Sequence, residues 1–128
     1  MTWFQASLLV MAGSALGGLG RYWCTVILEL AWPRPALGLI VGTLLVNVSG
    51  SFAITLVAGW GGERRWVSLF VLTGIMGGFT TFSSFSKQSL ELLLAGRHAA
   101  AGLYVLASLL ICLLAAGLGY RAGLAFAP

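Results

Sequence analysis

Four long apolar stretches, joined by three short connections, dominate this sequence. A helix needs about 20 mostly apolar residues to cross the hydrocarbon core of a bilayer. Stretches at roughly 3–30, 36–60, 66–95 and 99–126 meet that requirement, the third being the least apolar. The connections are Trp32-Pro33-Arg34-Pro35, Gly61-Gly62-Glu63-Arg64-Arg65 and Gly96-Arg97-His98. Proline cannot continue a helix, and paired glycines end one at little cost. Trp3, Trp32, Trp60 and Trp66 stand near the expected ends, where aromatic side chains favour the membrane interface. The pattern predicts an all-α membrane protein, a single four-helix transmembrane domain over 1–128.

The charge supply agrees. Only 8% of residues are charged and 59% are hydrophobic, whereas soluble domains carry about 25% charged residues. The net charge of +4 is spread singly apart from Arg64-Arg65, so no basic stripe for nucleic acid forms. Small-xxx-small pairs at Gly13–Gly17, Gly38–Gly42, Gly74–Gly78 and Gly119–Gly123 predict close helix packing. Cys24 and Cys112 sit in apolar stretches with no CxxC spacing, and are expected to be buried small apolar residues. The leading MTWFQAS lacks the basic region of a cleaved signal, so the first stretch is expected to be a retained helix.

Orientation is weakly specified. Four spans put both termini on one side, with Arg64, Arg65 and Arg121; the other side has Arg34 and Arg97, with Arg21 as a further candidate. The basic bias that normally fixes orientation is nearly absent. Copies that insert both ways and pair antiparallel would fit, and so would noise in a small count. Four helices of this size enclose little space, so a transport path is expected to need a second subunit.

Chemistry is expected where polar residues enter the apolar spans. In Gly74-Ile75-Met76-Gly77-Gly78-Phe79-Thr80-Thr81-Phe82-Ser83-Ser84-Phe85-Ser86, a glycine pair precedes a dense run of hydroxyls. Each glycine costs a helix interior about 1 kcal/mol against alanine. A break in this run near mid-membrane is therefore expected, with hydroxyls bonding freed backbone and bare carbonyls able to ligate a hard cation. Phe82 and Phe85 share a face, and two positive ring edges turned to a path would suit a small anion. The same rings could equally face lipid or core.

Asn47 lies in Gly42-Thr43-Leu44-Leu45-Val46-Asn47, with Thr43 one turn earlier on its face. Its two amide donors could replace water around an anion, or simply join helices. Arg21 either stays within the first span, raising local anion concentration, or snorkels to its end. Lys87 and Glu91 are one turn apart and read as a helix-end ion pair; His98 is placed in a loop. Tyr104 and Ser108 share a face of the fourth span and extend a polar track with Asn47, Thr80 and Ser83.

These motifs carry a resemblance. The run GGFTTFSSFS, the segment GTLLVN and the glycine-rich stretch ending at Arg21 resemble the CrcB/Fluc fluoride channel family, in order and over most of the chain. The resemblance implies an antiparallel, dual-topology homodimer in the bacterial inner membrane, with two pores that export fluoride passively. It implies a structural sodium ion at the dimer centre, held by main-chain oxygens of Gly77 and Thr80. It places Asn47, Phe82, Phe85, Ser83, Tyr104 and Ser108 along the fluoride path. The chain departs from the pattern at Gln88, where many members carry glutamate, and at Cys112, where a hydroxyl is common.

A small proton-coupled multidrug transporter is the principal alternative, being also a four-helix antiparallel dimer. Such a pump needs a membrane-embedded carboxylate, but Glu29, Glu63 and Glu91 all lie at or near expected ends. A scaffold without transport is a further alternative. No nucleophile–base pair, metal cluster or nucleotide loop is legible, so no enzymatic reading arises.

Overall fold

The computed structural model describes residues 1–61 and 64–127. Four helical spans, Trp3–Ala31, Pro35–Gly61, Arg65–Leu94 and His98–Ala125, are each long and apolar enough to cross a membrane. The first two and the last are single α-helices, here α1 (Trp3–Ala31), α2 (Pro35–Gly61) and α6 (His98–Ala125). The third span is composite. It begins with a turn, α3 (Arg65–Val67), runs as a π-helix over Ser68–Met76, tightens into α4 (Gly77–Phe79), and restarts as α5 (Phe82–Leu94). Every predicted span agrees with an observed one to within a residue at each end. Glu63, in the second connection, lies outside the described residues.

Local chemistry explains the boundaries. Thr2 and Gln5 form a reciprocal capping box at the start of α1: Gln5 N–H donates to Thr2 Oγ1 at 3.2 Å, and Thr2 N–H to Gln5 Oε1 at 2.9 Å. Pro35 opens α2, where its missing N–H costs nothing. Gly96, at φ +71°, makes the left-handed turn between α5 and α6. His98 is the first residue of α6 and exposed, so it begins a helix instead of sitting in the loop.

Packing is organised by small residues. α1 lies against the first half of the third span, and α2 against α6. A Cβ on Gly78 would come within 2.9 Å of Ser14 Cα, and one on Gly74 within 2.9 Å of Gly13 Cα. On the other side, a Cβ on Gly123 would reach 3.0 Å from Gly59 Cα. The few fully buried side chains, Val46 and Thr43 foremost, sit between these seams. Most large apolar side chains point outward, including Leu94, Leu103 and Leu114, as a bundle solvated by lipid requires. Cys24 is exposed and Cys112 partly so. The expectation that both are buried therefore fails: the protomer covers α1 at Gly13 and Gly17 and α6 at Ala101, Tyr104, Ser108, Gly119 and Gly123, and Cys24 lies beyond the first set while Cys112 falls in the gap between Ser108 and Gly119.

Candidate functional site

The site grows from the interruption in the third span. Gly77 and Gly78 do not break it: both are helical, and the bareness of Gly78 lets α4 lie against Ser14 of α1. Tertiary contact overrides their poor helix propensity. The break falls three residues later, where Thr80 (φ −77°, ψ 155°) and Thr81 (φ −148°, ψ 111°) are extended. Gly50 of α2 leaves room for the Thr80 side chain.

Asn47 of α2 completes this break. Its Nδ2 donates to the Thr81 carbonyl at 3.0 Å, and Thr81 N–H donates to its Oδ1 at 2.8 Å. The side-chain amide thus stands in for a second peptide group, satisfying backbone that membrane interiors leave no water to satisfy. One Nδ2 proton is consumed and one is left. Asn47 is consequently a strut as well as a potential anion donor.

Thr81 also caps α5. Its Oγ1 accepts from Ser84 N–H at 3.1 Å, and it lies 3.1 Å from both Ser83 Oγ and Ser84 Oγ. Thr80 and Ser86 bond back to Met76 and Phe82 carbonyls. The hydroxyl run therefore divides: Thr81, Ser83 and Ser84 form a cluster, and the other two serve their own helices.

These redirected amides leave two acceptors behind. A continuous helix would give Thr81 N–H to Gly77 and Ser84 N–H to Thr80. Asn47 and the Thr81 hydroxyl take those donors instead. The Gly77 and Thr80 carbonyls thereby lose their helical partners, and Gly77 is exposed on the protomer surface. Hard oxygen donors of this kind suit a cation such as sodium. No cluster of three or more His, Cys, Asp or Glu is found among the described residues.

Arg21 projects from α1 to the same place. It lies ten residues before the end of α1, or about 15 Å at 1.5 Å per residue. Its Nε donates to the Gly78 carbonyl at 3.2 Å, where the truncated α4 ends and helix dipoles concentrate negative charge. Arg21 also lines a cavity of about 270 Å³ shared with Thr43, Thr81, Ser84 and Gln88.

Aromatic rings climb from the break towards α6. Phe82 and Phe85 centroids are 5.5 Å apart, and Phe85 and Tyr104 centroids 5.4 Å. Phe82 is 79% exposed at the protomer surface, while Phe85 is partly buried against Leu92, Ala101 and Tyr104. Ser108, one turn beyond Tyr104, is buried and its Oγ has no hydrogen-bond partner. The Tyr104 hydroxyl donates to Gln88 Oε1 at 2.7 Å. Gln88 in turn donates to Thr43 Oγ1 at 2.9 Å and to the Leu39 carbonyl at 3.3 Å.

The break thus gathers Asn47, Gly77, Thr80, Phe82, Ser83 and Arg21 directly, and Phe85 and Tyr104 through ring contacts. Ser108 stands apart from this set. Sequence reasoning missed Thr81 as the cap and Gln88 as a hub. A threonine followed three residues later by serine at a helix restart signals the first. An amide in the middle of an apolar span signals the second. Among the carboxylates, Glu91 pairs with Lys87 at 2.8 Å on the exposed face of α5, and Glu29 lies two residues from the end of α1.

The fold and the site define a class: a small multi-pass membrane protein whose apolar bundle encloses a polar, helix-broken centre. Residues 8–120 match the model of the family described as CrcB-like protein, Camphor Resistance (CrcB), and the chain belongs to that family. A fluoride-specific ion channel FluC of Anaeromyxobacter dehalogenans is 46% identical over 115 residues, covering 85% of this chain and 87% of the relative. The Thermus thermophilus protein of that name is 44% identical over 124 residues, covering 91% of each. That of Methylobacterium radiotolerans is 41% identical over 128 residues, covering 91% of this chain and 83% of the relative.

Proposed function

We propose that this protein is a fluoride-selective ion channel of the bacterial inner membrane that lets fluoride leave the cytoplasm passively. Relatives of that name, aligned over most of both chains, support the reading. The observation that carries it is the break at Thr80–Thr81, where hydroxyls, an amide and a ladder of aromatic rings converge inside an apolar bundle.

The chemistry follows from the ion. Fluoride is small and holds its water tightly, so a path must offer replacement donors at each step. The remaining Asn47 N–H, the Ser83 and Ser84 hydroxyls and the unpartnered Ser108 hydroxyl are such donors. Phe82 and Phe85 edges add weak positive potential without a permanent charge that would trap the ion. Arg21 concentrates anions near the break. A larger, more weakly hydrated anion such as chloride gains less from these donors. Fluoride that has entered the cell as neutral HF and dissociated then leaves down its gradient.

The working unit in this reading is an antiparallel homodimer. Gly77, Phe82 and Ser83 are exposed on one protomer at membrane depth, and freed backbone is tolerated there only when protein or water covers it. A second, inverted copy supplies that cover, in line with the balanced basic residues. Gly77 and Thr80 carbonyls of both copies would hold the sodium ion. When bound, the ion neutralises oxygen dipoles where two breaks meet; the fixing of the break itself is done by Asn47 and Thr81.

Fluoride efflux from proteoliposomes, with chloride as control, tests the function. Fluoride efflux well above that of empty liposomes, with chloride retained, is expected; equal release of both ions ends the reading. Crosslinking of opposed copies in the membrane tests the dimer independently.

A further inference from the structure

One turn along α2 from Asn47 stands Gly50, and the space left by its missing side chain is filled. The two are three residues apart, so both face the interruption in the third span. Glycine weakens the interior of a 27-residue helix, and it suits a packed span only where a neighbour takes up the room. Elsewhere on α2 that neighbour is backbone. A Cβ on Gly38 would meet the Leu28 carbonyl first, one on Gly42 Thr25 Cα, and one on Gly59 the Tyr120 carbonyl. At Gly50 the occupants are side chains: a Cβ there would overlap Thr80 Cγ2 and come within 3.3 Å of Phe79 Cδ1. The same Phe79 ring borders α1, where a Cβ on Gly20 would lie 3.5 Å from Cδ2. The last residue of α4 and the first extended residue are thus lodged between α1 and α2.

This seat gives no local way out. Thr80 Oγ1 donates to the Met76 carbonyl at 3.0 Å, and threonine is stiff at χ1. Turning the side chain aside gives up that bond. Moving the backbone instead draws Thr81 away from Asn47, to which it is joined at 2.8 and 3.0 Å. Clearing an added Cβ takes a shift of about 1 Å, and hydrogen bonds are lost beyond about 3.5 Å. Gly50 and Asn47 therefore act together on adjacent residues. Gly50 sets how deep Thr80 sits, and Asn47 ties down Thr81. Since Thr81 is the cap of α5, the start of that helix at Phe82 follows the depth of Thr80.

We infer that Gly50 is a positioning residue of the channel: by admitting the Thr80 methyl, it holds the break at the depth that aligns Phe82 and Ser83 with Asn47. The inference rests on the channel reading. Gly50 offers no group to an ion and acts through Thr80. The two positions are matched in size, so a methyl lost at Thr80 makes room for a methyl gained at Gly50.

Proteoliposome fluoride efflux of the full chain, expressed per assembled channel after gel filtration, tests this with Gly50→Ala in two backgrounds. Thr80→Ser removes Cγ2 and keeps the hydroxyl that bonds Met76. In the parent, Gly50→Ala is expected to lower the rate about tenfold or more. In the Thr80→Ser background the same change is expected to lower it by less than about threefold. The contrast separates positioning from general damage to α2, which a smaller residue at position 80 does not repair.

An equal loss in both backgrounds overturns the inference, and so does an unchanged rate for Gly50→Ala alone. If Gly50→Ala does not elute like the parent, the double variant decides: recovered assembly with efflux upholds the pairing, and continued failure overturns it. If Thr80→Ser alone gives no efflux, thermal midpoints in detergent replace the rates. A drop on adding Gly50→Ala only where Thr80 is intact then upholds the pairing, and any other pattern overturns it. Absence of fluoride efflux from the unmodified protein strikes the channel reading itself, an outcome visible before any substitution is made.

Discussion

Two helix contacts in this protein use the same glycine device and end in different chemistry. Along the α2–α6 contact, Gly119 and Gly123 let unbroken helices touch from Phe52 to Gly59. Along the contact of α1 with the third span, Gly13, Gly17, Gly74 and Gly78 do the same. There, however, the partner is π-helical and then extended. The first contact satisfies all its backbone within the helices and only joins them. The second brings helices equally close, then withdraws hydrogen-bond partners from one of them and replaces these with Asn47, Thr81 and Arg21 side chains. Close packing supplies rigidity in both regions; polar function arises only where a rigid contact borders unpaired backbone.

The sharpest test attacks the regular contact. Gly119→Leu would drive a side chain into the Phe52 carbonyl, so loss of assembled protein on gel filtration is expected. Gly102→Ala, with nothing within 4 Å of the added carbon, is expected to elute like the parent. If both behave alike, the seam is not what holds these helices together.

The next test attacks the irregular contact. Asn47→Leu would leave the Thr81 N–H without a partner in a membrane interior, a cost of about 1–3 kcal/mol. A lower thermal midpoint in detergent together with abolished fluoride efflux is expected. A variant that loses neither would remove Asn47 from both its roles.

A third substitution separates function from packing. Phe82→Ile with Phe85→Ile keeps apolar bulk but removes ring edges. Fluoride efflux is expected to fall about 100-fold or more, while stability changes by about 1 kcal/mol or less per site. The matched pair Leu113→Ile with Leu114→Ile, exposed on α6, is expected to leave flux unchanged. Unaltered flux in the phenylalanine pair would end the ring role.

The smallest effect belongs at the edge of the bundle. Thr2→Ala removes the cap of α1 and is expected to cost about 1 kcal/mol in thermal unfolding, with efflux intact.

The spans were legible because the membrane imposes a length and a composition that 128 residues state openly. Proline at 33 and 35 and glycine at 96 punctuate them to within a residue. The existence of a break was also legible from the density of hydroxyls after Gly77-Gly78. Its position was not, because glycine next to another backbone is stabilised by contact that propensity ignores. The π-helical stretch left no mark in SLFVLTGIM, whose residues suit an α-helix equally. Asn47 was legible as a polar residue that apolar spans do not carry idly, but whether it served an ion or a peptide group depended on what lay opposite. For Arg21, sequence left snorkelling open; the structure instead gives it the Gly78 carbonyl as partner. Gln88 shows the same limit, since one amide reaching Leu39, Thr43 and Tyr104 requires three segments distant in sequence to converge.

The π-helical stretch Ser68–Met76 has a genetic consequence. Such segments behave like α-helix carrying an inserted residue. Removing one residue between Leu69 and Val71 is therefore expected to restore ordinary coiling upstream of Gly77 while leaving Thr81 and Phe82 near their present facing. A residue lost from the regular helix α2 has no such reserve, and turns everything after it by about 100°. Deletion scanning, read by fluoride survival of cells, should find the stretch Ser68–Met76 more forgiving of one lost residue than α2.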